Sequence, residues 1–324
     1  MTTLITGGAG FVGLALAERL RADGEQVVLF DRAAPPAAML ARLGRDSLGI
    51  LLGDIRCPID VDAALRSANA DRVVHAAAIT PNAEREAREP MAVVDVNIGG
   101  TANLLQRCAV GRSGVRRVLV LSSVAVYGVT PPAGTRYDEA TSVPAPAALY
   151  GITKLASEQT ALRLGALYRL DVRVARLGPV YGPWEYATGV RDALSPHAQI
   201  MAAAIGGQPV VLPRAMRADW LYSRDAAGAL AALLAGDALR HTLYNVGGQA
   251  MSDLVQWCEG LAANYPGWSW RLLEAGEPAD AATVRYNLPV DRAGLCIDRL
   301  RADTGWAPAV SLAAAVEDQM AWQA

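Results

Sequence analysis

Six short apolar runs, separated by amphipathic stretches, fill the first half of this 324-residue chain. The runs are Thr3–Thr6, Gln26–Phe30, Gly49–Leu52, Arg72–His75, Arg117–Leu121 and Asp171–Arg176. Val, Ile and Leu fill adjacent as well as alternate positions, the pattern of a parallel strand covered on both faces. Between them, Phe11–Ala22, Val61–Ala68, Pro90–Val110 and Leu149–Leu170 read as helices. Such alternation implies a parallel sheet with right-handed crossovers and helices on both faces. After Gly178 the rhythm breaks, and Pro, Gly, Trp and Tyr become denser up to Tyr222. A helix at Ala226–Ala235, a strand at Thr242–Val246 and helices at Leu254–Asn264 and Leu312–Trp322 follow. Residues 1–178 are expected to form the sheet domain, completed by segments near 219–246. Residues 179–324 are expected to form mainly a smaller substrate lobe, interleaved with it and without a clean linker.

Composition excludes several classes of partner. The net charge is −2, with acidic and basic residues interleaved. Neither a nucleic-acid footprint nor a polybasic membrane patch is present. Cys57, Cys108, Cys258 and Cys296 lie far apart and hold no metal-ligand spacing with His75, His197 or His241. Structural thiols in a reducing compartment are expected, and no metal. The chain enters a strand at once and has no charge-free apolar run of spanning length. A cytoplasmic protein without a signal peptide or membrane span is the expectation.

Between the first strand and the first helix stands Thr6-Gly7-Gly8-Ala9-Gly10-Phe11-Val12-Gly13. Gly7, Gly10 and Gly13 permit a tight turn and let backbone N–H groups approach a pyrophosphate at the helix N-terminus. The second strand ends on Asp31, whose carboxylate suits an adenosine ribose and repels a 2′-phosphate. NAD is therefore favoured, while Arg32 leaves NADP open. Asp54 with Ile55, after the third strand, can meet an adenine edge or cap its own loop. Ala76, Ala77 and Ala78, after His75, let a flat cofactor lie against the sheet edge. His75 itself reads as a satisfied core histidine. Asn97 is a polar residue on a helix otherwise apolar on one side, suited to bridging backbone near the site. The whole reads as a doubly wound α/β Rossmann sheet.

Lys154 is the only lysine in the chain. It follows Tyr150 by four residues, so both share one helix face. A compact ammonium there is expected to lower the Tyr150 pKa and make the phenol a proton acceptor near neutral pH. Ser122 and Ser123 end the fifth strand, where ligands of open parallel sheets bind. Ser123, Tyr150 and Lys154 complete a Ser/Tyr/Lys set.

With TGGAGFVG, the Asp31 strand end, GDI, HAAA, VNIGGT, LSSVAVYG, YGITK, RLGPVYGP, DWLYSRDAA and GWAP, the chain resembles the extended short-chain dehydrogenases/reductases, in the NAD-dependent epimerase/dehydratase family. The resemblance implies Ser123 as catalytic serine, Tyr150 as acid/base and Lys154 as the residue that holds the ribose and tunes Tyr150. Asn97 would support them, and Ser122, Leu177 and Val180 would line the cofactor. It also implies a homodimer built on the helices at Pro90–Val110 and Leu149–Leu170.

Departures narrow the substrate. Dehydratases of the family carry Asp-Glu directly after the catalytic Ser/Thr; here Val124 and Ala125 stand there and move no proton. Pro179 replaces an Asn usual in nucleotide-sugar epimerases and lacks the amide. Ala218 stands where Arg usually precedes the Asp-aromatic pair. A sugar, sugar acid or related polyol is thus favoured, with a nucleotide-sugar 4-epimerase retaining NAD, or a non-catalytic NAD-binding scaffold, as alternatives. Thr80 is expected to face the site. Arg191 either binds a substrate carboxylate or phosphate or pairs with Asp192 or another lobe acid. His197 either reaches substrate or has a capping or surface role. Trp257, Trp268 and Trp270 read as lobe core.

Overall fold

The computed structural model describes residues 1–44, 46, 48–110, 114–129, 136–286 and 290–323. Seven parallel strands form the central sheet: β1 (Thr2–Thr6), β2 (Gln26–Asp31), β3 (Leu48–Leu52), β4 (Arg72–His75), β5 (Arg117–Ser123), β6 (Asp171–Leu177) and β7 (Leu243–Val246). Their spatial order is β7-β6-β5-β4-β1-β2-β3. Strand order reverses between β1 and β4, opening a crevice at their C-terminal ends, the usual ligand position in such sheets. The register sets Thr6 beside both Phe30 and His75, and Ser123 beside Leu177. The glycine turn, the alanines after β4 and the serines ending β5 therefore emerge on one edge.

Both sheet faces are covered, as the apolar runs require. Helices Phe11–Ala22 and Ser223–Ala235 pack together on one face, over a core holding Leu14, Leu29, Leu119 and Leu230. Pro58–Ala68, Gly100–Val110 and Leu149–Tyr168 cover the other, over Leu4, Val73, Leu104 and Val118. The helix expected across 90–110 is interrupted. Pro90–Val94 leads into a π-helical turn at Asp95–Gly99 before Gly100–Val110. The wide turn carries Asn97 into the interior, and such bulges frequently mark functional sites.

A second core lies over the C-terminal sheet edge. It joins Pro196–Ile205, Leu254–Ala262 and Leu312–Gln323 around Ile200, Trp257, Leu261 and Val316. Trp268 is buried there and Trp270 is partly buried against it. The short parallel pairs Arg136–Tyr137 with Gly294–Leu295, and Val180–Tyr181 with Leu221–Tyr222, tie this lobe to the sheet. Neither pair is visible in the apolar pattern, because two-residue strands carry no periodicity.

Candidate active site

Gly7 holds a φ of +68°, and a Cβ there would meet the Ala77 backbone nitrogen at 2.5 Å. Only glycine fits that conformation against the strand behind it. The Gly10 N–H closes the turn on the Gly7 carbonyl at 3.0 Å. A dinucleotide pyrophosphate thus fits this cradle, since no side chain stands between its backbone donors and a ligand. The Asp31 carboxylate accepts from the Ala9 N–H (3.0 Å) and the Arg32 N–H (2.7 Å). Burial nevertheless pushes its pKa above the usual carboxylate range. Arg32 is exposed and 4.0 Å from Asp54. Asp54 is held by Arg56 at 2.6 Å, which lowers its pKa, so its carboxylate caps its own loop. Ile55 is buried, and its carbonyl accepts from Asn103.

The strap after β6 was not expected to reach this loop. Trp184, buried at φ +75°, donates from its indole to Glu18 at 3.0 Å. The Tyr186 hydroxyl donates to the Ala9 carbonyl at 2.5 Å. The Arg191 guanidinium lies 5.5 Å from the centre of the Phe11 ring. Thr80 and Arg191 pair in a short parallel bridge, with the Thr80 N–H donating to Val190 at 2.9 Å. The strap thus joins the glycine loop to the segment after β4.

Tyr150 opens its helix, and its N–H donates to Glu86 at 3.3 Å. A Cβ at Gly151 would sit 2.6 Å from the Ala125 carbonyl, so glycine lets this helix close onto the turn that follows Ser123. The Tyr150 phenol lies beside the side-chain hydroxyls of Thr80 and Ser123. The Ser123 oxygen also accepts from the Ala125 N–H at 3.1 Å, which leaves its own proton available to donate. Lys154 is buried and donates to the Leu121 carbonyl at 2.8 Å, with its nitrogen 5.9 Å from the centre of the Tyr150 ring. Helical spacing sets Lys154 beside Tyr150, and the close approach at Gly151 brings in Ser123.

Tuning of the phenol differs from expectation. Burial pushes the Tyr150 pKa up, opposed by the two hydroxyls and by the charge of Arg191 rather than of Lys154. Burial also drives the Lys154 ammonium down to about 8, which weakens the cation expected to do this work.

The structure places the other candidate residues as follows. Ser122 bonds Glu158, within a buried network where Arg176 meets Glu158 at 2.7 Å and lies over the Tyr127 ring. Asn97 accepts from the Ile79 N–H (2.8 Å) and donates to the Ile79 carbonyl and Thr153 (3.0 Å each). Its amide joins the segment after β4 to the Tyr150 helix. His197 stacks on Tyr181 at 3.9 Å, with Trp220 and Trp257 edge-on. It belongs to the lobe core, where aromatic burial drives its pKa down to about 3. Arg191 pairs at 2.7 Å with Glu185, whose side chain is 2% exposed; Asp192 pairs instead with Arg85 at 2.9 Å. Leu177 is buried beside Ser123, and Val180 packs against the sheet core. The Pro179 carbonyl accepts from the Leu221 N–H at 2.9 Å. His75 is bonded to Thr6 and Thr101 at 2.8 and 2.9 Å, a satisfied core histidine.

Tyr186, Glu185 and Tyr286 were not singled out. Tyr286 feels the charges of Arg292, Arg191 and Glu185 and lies near Tyr150. No motif marks it, because it reaches the site from a C-terminal segment through folding alone.

A doubly wound sheet with a glycine cradle and a Ser/Tyr/Lys set at one edge defines a nucleotide-dependent oxidoreductase. Residues 3–247 match the model of the NAD dependent epimerase/dehydratase family, and the chain belongs to that family. It is an enzyme and its cofactor is NAD. The chain is 30% identical over 82% of its length to sterol demethylase protein B of Methylococcus capsulatus, covering 75% of that protein. It is 25% identical to dTDP-L-rhamnose 4-epimerase of Burkholderia thailandensis, over 98% of this chain and 94% of that one. Among solved structures, UDP-glucose 4-epimerase of Thermotoga maritima superposes with a TM-score of 0.81 at 21% identity, covering 100% of this chain and 98% of that one. Among the described residues, no helix is long and apolar enough to cross a membrane.

Proposed function

We propose that this enzyme oxidises, with NAD, a secondary alcohol or hemiacetal carbon of a sugar, sugar acid or related polyol, Tyr150 acting as acid/base. The observation that carries this reading is the Tyr150 ring, 5.9 Å from the Lys154 nitrogen on the same helix and beside the Thr80 and Ser123 hydroxyls. Bound NAD supplies the hydride acceptor. Gly7, Gly10, Phe11, Val12 and Gly13 would hold its pyrophosphate, Asp31 its adenosine ribose, and Ala76–Ala78 its flank. Ser123 donates to the substrate oxygen and orients it toward Tyr150. Tyr150 takes the hydroxyl proton as the carbon loses its hydride. Because burial holds the phenol high, oxidation should speed up as pH rises toward the alkaline range.

The experiment is NADH formation across sugars, sugar acids and polyols, with Tyr150→Phe as control. The variant should bind NAD normally and lose about 10²–10⁴-fold in rate. Undiminished turnover would sink Tyr150 as the acid/base and favour a scaffold role for the site.

The second reading is a nucleotide-sugar 4-epimerase, favoured by the near full-length match to dTDP-L-rhamnose 4-epimerase. Against it, Pro179 offers no side-chain amide and Ala218 is a buried methyl. Epimerisation with no net NADH would decide for it. A homodimer through the helices at 90–110 and 149–168 is also proposed, supported by exposed Met91, Ile152 and Leu167. A monomer by light scattering would refute it.

A further inference from the structure

The glycine loop is gripped from outside at one residue, Ala9. Its N–H donates to the Asp31 carboxylate at 3.0 Å, and its carbonyl accepts from the Tyr186 hydroxyl at 2.5 Å. A trans peptide points its C=O and N–H in opposite directions. In the Ala9–Gly10 peptide the N–H meets the Gly7 carbonyl at 3.0 Å, so Tyr186 and Gly7 hold the same plane from its two sides. Gly10 then caps the first helix without a side chain, its carbonyl accepting from the Leu14 N–H at 2.9 Å. The first helical N–H groups, on Phe11, Val12 and Gly13, follow directly and have no carbonyl four residues back within the helix. Glycine stands on both sides of Ala9, so the local chain gives this turn little stiffness of its own.

Tyr186 can supply that stiffness because the strap is anchored without its hydroxyl. The ring packs against the sheet core, and burial raises its pKa, so the hydroxyl keeps the proton it donates. Trp184 is held by Glu18 and lies against Trp322, with ring centres 4.7 Å apart. Glu185 pairs with Arg191 and accepts from the Ser195 N–H and hydroxyl at 2.6 and 2.5 Å. On the far side, Arg191 pairs with Thr80 through the backbone. Anchors therefore stand on both sides of Tyr186.

We propose that Tyr186 is a cofactor-positioning residue, which fixes the Ala9–Gly10 peptide so that the N–H groups of the glycine loop are already aimed at the NAD pyrophosphate before the cofactor binds. It acts through Ala9 and does not itself touch NAD. A loop left free to rotate would be ordered at the expense of binding energy, whereas an anchored one is preorganised. The proposal concerns the cofactor alone and holds whichever substrate the enzyme takes.

The test is Tyr186→Phe in the full chain, which removes one hydroxyl and leaves the ring and the other anchors of the strap. NAD and ADP-ribose, which share the pyrophosphate, are titrated calorimetrically into cofactor-free protein. Amide exchange over the glycine loop is followed by mass spectrometry in the same protein. The dissociation constants of both ligands should rise by about three- to tenfold. Loop amides of the variant should exchange at least about threefold faster, with protection elsewhere unchanged. Replacing Tyr186 by p-aminophenylalanine, which keeps a donor at the same place on the ring, should restore both. An unchanged NAD affinity would overturn the proposal. Weaker NAD binding with unchanged loop exchange would also overturn it, because the hydroxyl would then touch the cofactor directly. Faster exchange spread over the whole sheet would do the same, as the mark of a merely structural role.

Discussion

Replacing His197 by leucine should flatten the pH dependence of stability on the acid side. The imidazole is 2% exposed, enclosed by Tyr181, Trp220 and Trp257, and neither ring nitrogen has a hydrogen-bond partner. Its pKa falls from 6.5 to about 3 because nothing in the aromatic box solvates a positive charge. A histidine depressed in this way stays neutral in the folded state while the unfolded chain takes up a proton. Stability from this residue is therefore complete above pH 6.5 and is lost as pH falls toward 3. From pH 7 to pH 5 the loss is about 2 kcal/mol, at roughly 1.4 kcal/mol per unit once below 6.5. Leucine cannot titrate, so the difference in unfolding free energy between wild type and His197→Leu should narrow by that amount over the same interval. Urea unfolding followed by tryptophan fluorescence at several pH values measures it, and the difference cancels contributions from every other group. A constant difference from pH 7 to pH 5 would refute the burial of a neutral ring. Turnover of His197→Leu at neutral pH should remain near wild type, whereas a substrate-contacting histidine would cost activity first.

Other perturbations test other parts of the site. Gly7→Ala forces a Cβ to 2.5 Å from the Ala77 nitrogen at φ +68°, so NAD affinity should fall by more than about tenfold in a fluorescence titration; intact affinity would contradict the cradle. Asp31→Ser should shift the NAD to NADP affinity ratio toward NADP by removing the carboxylate that repels a 2′-phosphate, and an unchanged ratio would deny Asp31 that role. Glu185→Gln takes the buried counter-charge from the partly exposed Arg191 and should destabilise the fold by about 1.5–3 kcal/mol in urea; a loss below about 0.5 kcal/mol would show the pair to be solvated.

The alternation of apolar and amphipathic segments was enough to read the sheet, because a parallel strand buried on both faces must be continuously hydrophobic. All six expected strands are present, β1, β2, β3 and β6 each one residue longer, β5 two longer and β4 unchanged. The Tyr150–Lys154 spacing was legible for the same kind of reason, since helical periodicity alone sets two side chains on one face. Legibility ended where partners are distant in sequence. Ser122 and Asn97 look like site residues by position, yet one turns to Glu158 and the other spends its amide on Ile79 and Thr153. His197 looks like a chemical group but meets only aromatic rings.

Local pattern by itself therefore determined the sheet, the glycine cradle and the Tyr150–Lys154 pair, all features within one or two turns of chain or one strand end, while packing brought Ser123 to that pair. Tertiary structure alone decided which charges are matched. Glu185 reaches Arg191 across a bend of the strap, while Asp192 pairs with Arg85. It decided the protonation of Tyr150 and Lys154 as well, because desolvation depends on everything packed around a group and not on its sequence neighbours.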